Sequence, residues 1–261
     1  MCAASRRRAE AVTGDSATVR VGLPVARRSG AARRRLVAAL GFASFLPLPA
    51  AHAEGLVLGG FDTSKDGKSA YVGAITPIAG GNLGQGPTLR VWADHNTYSY
   101  KSGGNVVDAK ANGLEVALGY QTSSGENWGG ISAGPRYTRT SLSPEDPGNN
   151  ERGTKWGLKI QAGGEVVAMP NVFVNMFAAY TTGTEAYWAR LRLLYRFDNG
   201  LRTGPELIRH GNTVYRASQA GWVLSGIKLG GSSEIGLKVG ARRNEGQSTE
   251  PYGGVEFVSF F

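Results

Sequence analysis

From residue 55 onward the chain alternates, with apolar side chains at every second position through long stretches. The segment YWARLRLLYRF, residues 187 to 197, shows this most plainly. Wound as a helix at about 100° per residue, it would set Arg190 in the middle of the apolar face. Drawn out with the strand period of two, it sorts cleanly. Tyr187, Ala189, Leu191, Leu193, Tyr195 and Phe197 then line one side, and Trp188, Arg190, Arg192, Leu194 and Arg196 the other. Ten steps of about 3.4 Å, tilted by about 40°, project to roughly 26 Å, close to the ~25 Å apolar band of an outer-membrane barrel. Strands of soluble sandwiches are usually only about five or six residues long.

The same sidedness recurs. Leu114, Val116, Leu118 and Tyr120 oppose Glu115 and Gln121; Trp156, Leu158, Ile160 and Ala162 oppose Lys159, Gln161 and Glu165. Ile235, Leu237, Val239 and Ala241 oppose Glu234, Lys238 and Arg242. Turn residues punctuate these runs and predict strands near 55–64, 69–78, 88–98, 112–122, 127–140, 154–167, 171–182, 186–197, 201–210, 215–229, 234–243 and 252–261. The segments 127–140, 171–182 and 215–229 alternate poorly. Twelve strands is an even number, as a closed bacterial barrel requires. The fold class expected is all-β: a closed antiparallel up-and-down transmembrane barrel over residues 54–261. Connections are expected to be tight at SSGEN, AMPN, DNG and GGSS, and longer at SYKSGGNVVDAKA, SLSPEDPGNNERGT and NEGQSTEP. TTGTE and AGGNLGQGP break that alternation. The terminal strand YGGVEFVSFF ends on an aromatic residue, in the manner of signals read by barrel-assembly machinery.

Composition changes the picture only at the front. The net charge of +9 suggests an anionic partner. Residues 1–53 hold nine arginines against Glu10 and Asp15, which leaves 20 basic and 18 acidic residues in the remainder. Nothing then points to nucleic acid. Arg33, Arg34 and Arg35, the apolar run LVAALGFASFLPLPA and the small-residue site Ala51-His52-Ala53 predict a signal peptide cleaved after Ala53. The expected domains are therefore 1–53, an N-terminal extension plus signal, and 54–261, the barrel. The only cysteine, Cys2, falls in the removed part, so the mature chain has neither disulfide nor thiol nucleophile. No apolar run after residue 53 is long enough for a membrane helix.

Two stretches, PEDPGNNERGTKWGLKIQAGGE and YWARLRLLYRF followed by GPELIRHGNTVY, resemble the cellulose biosynthesis protein BcsS family. The matching elements are Asp146-Pro147-Gly148-Asn149, Gly157, Lys159, Gln161, Glu165, Tyr187-Trp188, Arg190, Tyr195-Arg196, Gly204-Pro205-Glu206, Gly211-Asn212 and Tyr215. Leu194 and Gln219 depart from the pattern, which would have glycine and arginine there. The resemblance implies an exported outer-membrane β protein of cellulose-making bacteria. It would be a non-enzymatic accessory in making or secreting cellulose or a related exopolysaccharide. The implied partners are outer-membrane lipid and cellulose or components that secrete it; no cofactor is implied.

The inward side of the strands holds the candidate chemistry. Arg90, Trp92, Asp94, Lys159, Glu165, Trp188, Arg190, Arg192, Arg196 and Glu206 share it, with Glu115, Lys238, Arg242 and Glu256. Both signs of charge predict an internal salt-bridge network filling a narrow lumen. Trp92 and Trp188 beside carboxylates and guanidinium groups also offer the stacking and hydrogen bonds of a glucan contact. A small solute channel is the alternative. An outer-membrane hydrolase is the other, since Glu206 and His210 share a strand face, but no serine is flanked like a nucleophile elbow. EDPGNNE has calcium-type ligands without calcium-loop spacing, and is expected to be a solvated outer loop.

Overall fold

The computed structural model describes residues 55–78 and 80–261. The signal segment and its cleavage site lie outside the described residues. These form twelve strands: β1 (Leu56–Ser64), β2 (Gly67–Pro77), β3 (Gly86–Ser102), β4 (Asn105–Ser124), β5 (Asn127–Ser143), β6 (Gly153–Met169), β7 (Val172–Thr181), β8 (Ala186–Arg196), β9 (Arg202–Gly211), β10 (Arg216–Gly230), β11 (Ser233–Asn244) and β12 (Glu250–Phe260). Each pairs antiparallel with its sequence neighbour, and β1 pairs with β12 from Leu56↔Phe260 to Ser64↔Tyr252. The barrel is closed. It leaves no open sheet edge, the condition for crossing lipid with strands.

The burial pattern is that of a globular protein turned inside out. Leu118, Val239 and Trp156 on the outer face are 63%, 64% and 68% exposed, whereas Glu206, Lys238 and Arg192 on the inner face are 0%, 4% and 6% exposed. In water an apolar surface of this extent would drive association; in a bilayer it is the matching surface. Rings mark both margins of the band. Tyr137 meets Trp156 edge-on at 5.2 Å toward one end, and Tyr195 meets Phe197 at 5.1 Å toward the other. The second end also carries both chain termini. It is called the terminal end below, and the first the loop end.

Connection lengths differ from the expected alternation. The predicted loop 99–111 is a hairpin: β3 and β4 stay paired as far as Ser102↔Asn105, and Gly103 and Gly104 turn the chain with φ of 55° and 85°. Serine and glycine suggested a loop, yet Val107 and Ala109 keep the alternation. Their side chains pack inward with Leu142, Tyr98 and Tyr100. The poorly alternating segments 127–140, 171–182 and 215–229 are strands as well, their inner faces blurred by small or aromatic residues.

The loop 144–152 is solvated at Glu145, Pro147, Gly148 and Asn150, as expected, but it is anchored at two points. Asn149 and Glu151 are buried. Tyr100 donates to Asp146 at 3.0 Å and accepts from Asn149 Nδ2 at 2.6 Å. The loop is therefore tied to the wall of the β3–β4 hairpin.

Candidate functional site

The lumen is crossed by ion pairs at mid-height. On one wall Glu115 accepts from Arg90 Nε at 3.1 Å and from Lys159 Nζ at 2.7 Å, and Arg136 links it to Asp94, donating at 2.9 Å. On the opposite wall Arg192 donates through Nε to Glu206 at 2.5 Å and grips Glu256 with both terminal nitrogens, at 2.9 and 2.8 Å. Arg190 and Lys238 also reach Glu256, each at 3.3 Å, and Lys238 continues to Asp62 at 2.9 Å. Arg190 further donates to Asn175, which donates to Glu165, and Glu165 takes a two-pronged contact from Arg202 at 3.1 and 2.9 Å. Arg196 lies apart from these, bound to Glu126 in the β4–β5 turn at 2.6 Å.

Buried charges of this kind are tolerated only where several partners share each one. Glu115 and Glu256 each collect three cations. Between the two walls stand Tyr71 and Trp92, stacked at 4.8 Å and 12°. Their neighbours on the adjoining strands are Gly60 and Gly73, where a Cβ would strike the rings, so both lie flat against the wall. Arg90 covers Trp92 at 4.1 Å. Trp92 is thus part of the filling. Toward the terminal end Phe173, Leu194 and Val223 make an apolar plug, with Arg196 and Arg202 over the Phe173 ring at 4.7 and 4.1 Å.

Trp188 has a different fate from Trp92. It lies on the same inward side but is 36% exposed, facing a cavity of about 110 Å³ near the loop end. Tyr98, Tyr215, Tyr252, Asn96 and Arg242 also line this cavity. Tyr98 on β3 meets Tyr215, just before β10, at 5.0 Å, so rings from opposite walls touch at the mouth. Burial pushes the Tyr215 hydroxyl up from its ordinary pKa, with Arg242 opposing, so it stays a neutral donor. His210 opens toward Tyr215 at 3.3 Å and Gln219 at 3.4 Å, while Glu206 is taken by Arg192 and by the Tyr252 hydroxyl at 3.2 Å. Both members of the considered triad are held by other groups. Among the described residues no metal-binding cluster occurs.

A family model described as cellulose biosynthesis protein BcsS matches residues 56–261. The chain belongs to the BcsS family. It has no match among curated proteins. Among solved structures it is similar to the KdgM porin, at 13% identity over 77% of this chain and 97% of that one, with a TM-score of 0.44. An outer membrane channel from Pseudomonas putida F1 is similar at 13% identity, over 85% and 100% of the two chains, with a TM-score of 0.48. The translocator domain of the autotransporter NalP from Neisseria meningitidis is similar at 16% identity, over 80% and 88%, with a TM-score of 0.42.

Eight of the residues that carry the BcsS resemblance fall in three places. Asp146 and Asn149 pin the β5–β6 loop, Lys159, Glu165, Arg190 and Glu206 bridge the lumen, and Trp188 and Tyr215 stand at the mouth. Leu194, one of the two departures from the pattern, helps build the apolar plug. Asp62, Arg136, Arg202, Tyr98 and Tyr252 were not among the candidates. Arg202 shares the inward parity of Glu206 and was legible on that ground. Arg136 and Asp62 sit in glycine-rich strands where parity signals little.

Proposed function

We propose that this BcsS-family barrel resides in the outer membrane, exported through a signal segment cleaved after Ala53. There it serves as a non-enzymatic accessory in producing or secreting cellulose or a related exopolysaccharide. One observation carries the reading: the lumen is bridged by charge at mid-height, and an exposed indole stands above that bridge at the mouth. A neutral glucan presents apolar ring faces and a rim of hydroxyls. Trp188 supplies a stacking face, and Asn96, Arg242 and Tyr215 supply polar groups around it. The cavity of about 110 Å³ is well below the ~300–1,000 Å³ of an enclosing ligand pocket, so it suits contact with a chain end or a surface sugar rather than threading.

The barrel acts on this reading where the polymer leaves the cell, since it has no access to cytoplasmic sugar nucleotides. Deleting the gene is expected to lower or disorganise extracellular cellulose while leaving glucan synthesis in isolated inner membranes intact. Restoring the gene as Trp188→Ala is expected to leave the barrel assembled and the fibril defect only partly repaired. Unchanged cellulose amount and fibril form in the deletion strain would remove the role. Full repair by Trp188→Ala would remove the mouth as its site.

A further inference from the structure

The outer face of the barrel is asymmetric in charge. Lys68, Lys110, Arg139, Arg209 and Arg243 all point outward at the loop end and are exposed, and none makes an ion pair among the described residues. At the terminal end the corresponding outward positions are Tyr120, Tyr195, Phe197 and Phe257.

Four of the five cations are set in two rows of one design. Lys68 on β2 and Lys110 on β4 flank Thr97 of β3, both in register with it. Arg209 on β9 and Arg243 on β11 flank Ser218 of β10 in the same manner. Two strand spacings of about 4.8 Å put each pair of cations roughly 9.6 Å apart at the backbone, with a hydroxyl between them. Side chains of this length converge over that gap and also extend toward the headgroup layer. A tetrahedral oxyanion needs that set: two cationic donors and a hydroxyl donor. Acidic groups nearby are few. Asp108 shares the outer face beyond Lys110 and accepts from Ser99 at 2.6 Å, and Glu245 lies 3.9 Å from Arg216.

Unpaired cations on an apolar wall are costly in a zwitterionic or neutral lipid. We infer that these two rows, Lys68–Thr97–Lys110 and Arg209–Ser218–Arg243, are binding sites for the phosphate groups of a phosphorylated glycolipid in the leaflet around the loop end. The leaflet's sugar headgroups would then lie beside the aromatic mouth. The barrel would be held both upright and close to a glycan-bearing surface.

The test uses the folded full barrel in detergent micelles, examined by native mass spectrometry. The probes are bisphosphorylated lipid A, the same lipid with both phosphates removed, phosphatidylglycerol and inorganic phosphate. Lipid A is expected to stay bound, and the dephosphorylated lipid to be lost. Lys68→Gln with Lys110→Gln, and separately Arg209→Gln with Arg243→Gln, should each weaken retention at the altered row by about thirtyfold, as expected for two charges at an anionic surface, leaving one lipid A bound where the parent holds two. Lys228→Gln, at the terminal end, should leave retention unchanged. Gel mobility of unheated samples confirms that each variant is folded, and the two double variants are independent, so one can be read where the other fails to assemble. Equal retention of the dephosphorylated lipid, or of lipid A by both folded double variants, overturns the inference. Preferential retention of phosphatidylglycerol, or displacement of lipid A by millimolar phosphate, overturns the assignment to a glycolipid.

Discussion

Arg192 and Glu206 face each other across the β8–β9 ladder, and the carboxylate of that pair is fully closed to solvent. Their arrangement differs from that of a surface salt bridge, because Arg192 also holds Glu256 with two parallel contacts. Removing the guanidinium leaves the two acids unequally placed. Glu256 keeps Arg190 and Lys238, but Glu206 keeps only the Tyr252 hydroxyl. Arg192→Leu is therefore expected to destabilise the barrel by about 3–5 kcal/mol, the usual effect of orphaning a buried charge. Arg192→Leu combined with Glu206→Leu should recover most of that loss. Arg192→Lys should fall between, since an ammonium cannot reproduce the fork on Glu256. Urea unfolding of refolded protein in lipid vesicles measures the series. A double variant no more stable than Arg192→Leu would show that the pair is not the source of the effect.

The two ends of the barrel should differ in accessibility on intact cells. Residues 144–152 and 245–249 lie at the loop end, and 197–201 at the terminal end. Single cysteines at Asn150 and Ser248, both exposed, are expected to react with an impermeant maleimide, and one at Asn199 is not. Asn149 is unsuitable as a reporter because it is buried against Tyr100. Equal labelling of all three sites would refute the orientation.

Loop 144–152 should respond to pH. Burial raises the pKa of Glu151 above that of an ordinary carboxyl, opposed by Lys155 and by a hydrogen bond from Thr213. The docked loop thus favours the protonated acid more than the free chain does. Its docking is firmest at low pH and weakens as pH rises through the raised value. Glu151→Gln should hold the loop docked throughout. Hydrogen exchange of this segment, corrected for intrinsic rates between about pH 5 and pH 8, checks both statements.

The barrel was legible because lipid on one side and charge on the other impose a period of two over ten or more residues. Segment 187–197 is the clearest case: nearly all of its alternation survives as an outward apolar row and an inward charged one. Where the inner face uses Gly130, Ser132 and Gly134, as in β5, parity fades, and Arg136 went unnoticed there. The same composition hid the β3–β4 hairpin, since serine, glycine and asparagine suit a loop tip and a wet strand above the membrane equally. Parity also could not separate Trp92 from Trp188. One is covered by Tyr71, which arrives from another strand, and the other faces open space; that difference exists only once the strands are placed side by side.

Neighbouring positions on β8 should respond oppositely to the same chemistry. Leu191 is 47% exposed on the outer face, pairs with Leu207 and Met176, and lies near the middle of the apolar band. An arginine there has no inner partner, because the strand directs it into lipid. The expected cost of Leu191→Arg is about 2–4 kcal/mol at the midplane of a barrel. At 192 the arginine is native, and it is leucine that destabilises. A soluble β protein would invert this order at 191, where an exposed leucine can usually become arginine with little effect. Placing the arginine at Tyr187 instead, four residues toward the loop end, should cost far less, since the side chain then reaches the headgroups. Unfolding free energies of Leu191→Arg and Tyr187→Arg in lipid vesicles therefore measure depth as well as sidedness. A Leu191→Arg barrel that inserts and unfolds like the parent would show that this strand does not face lipid.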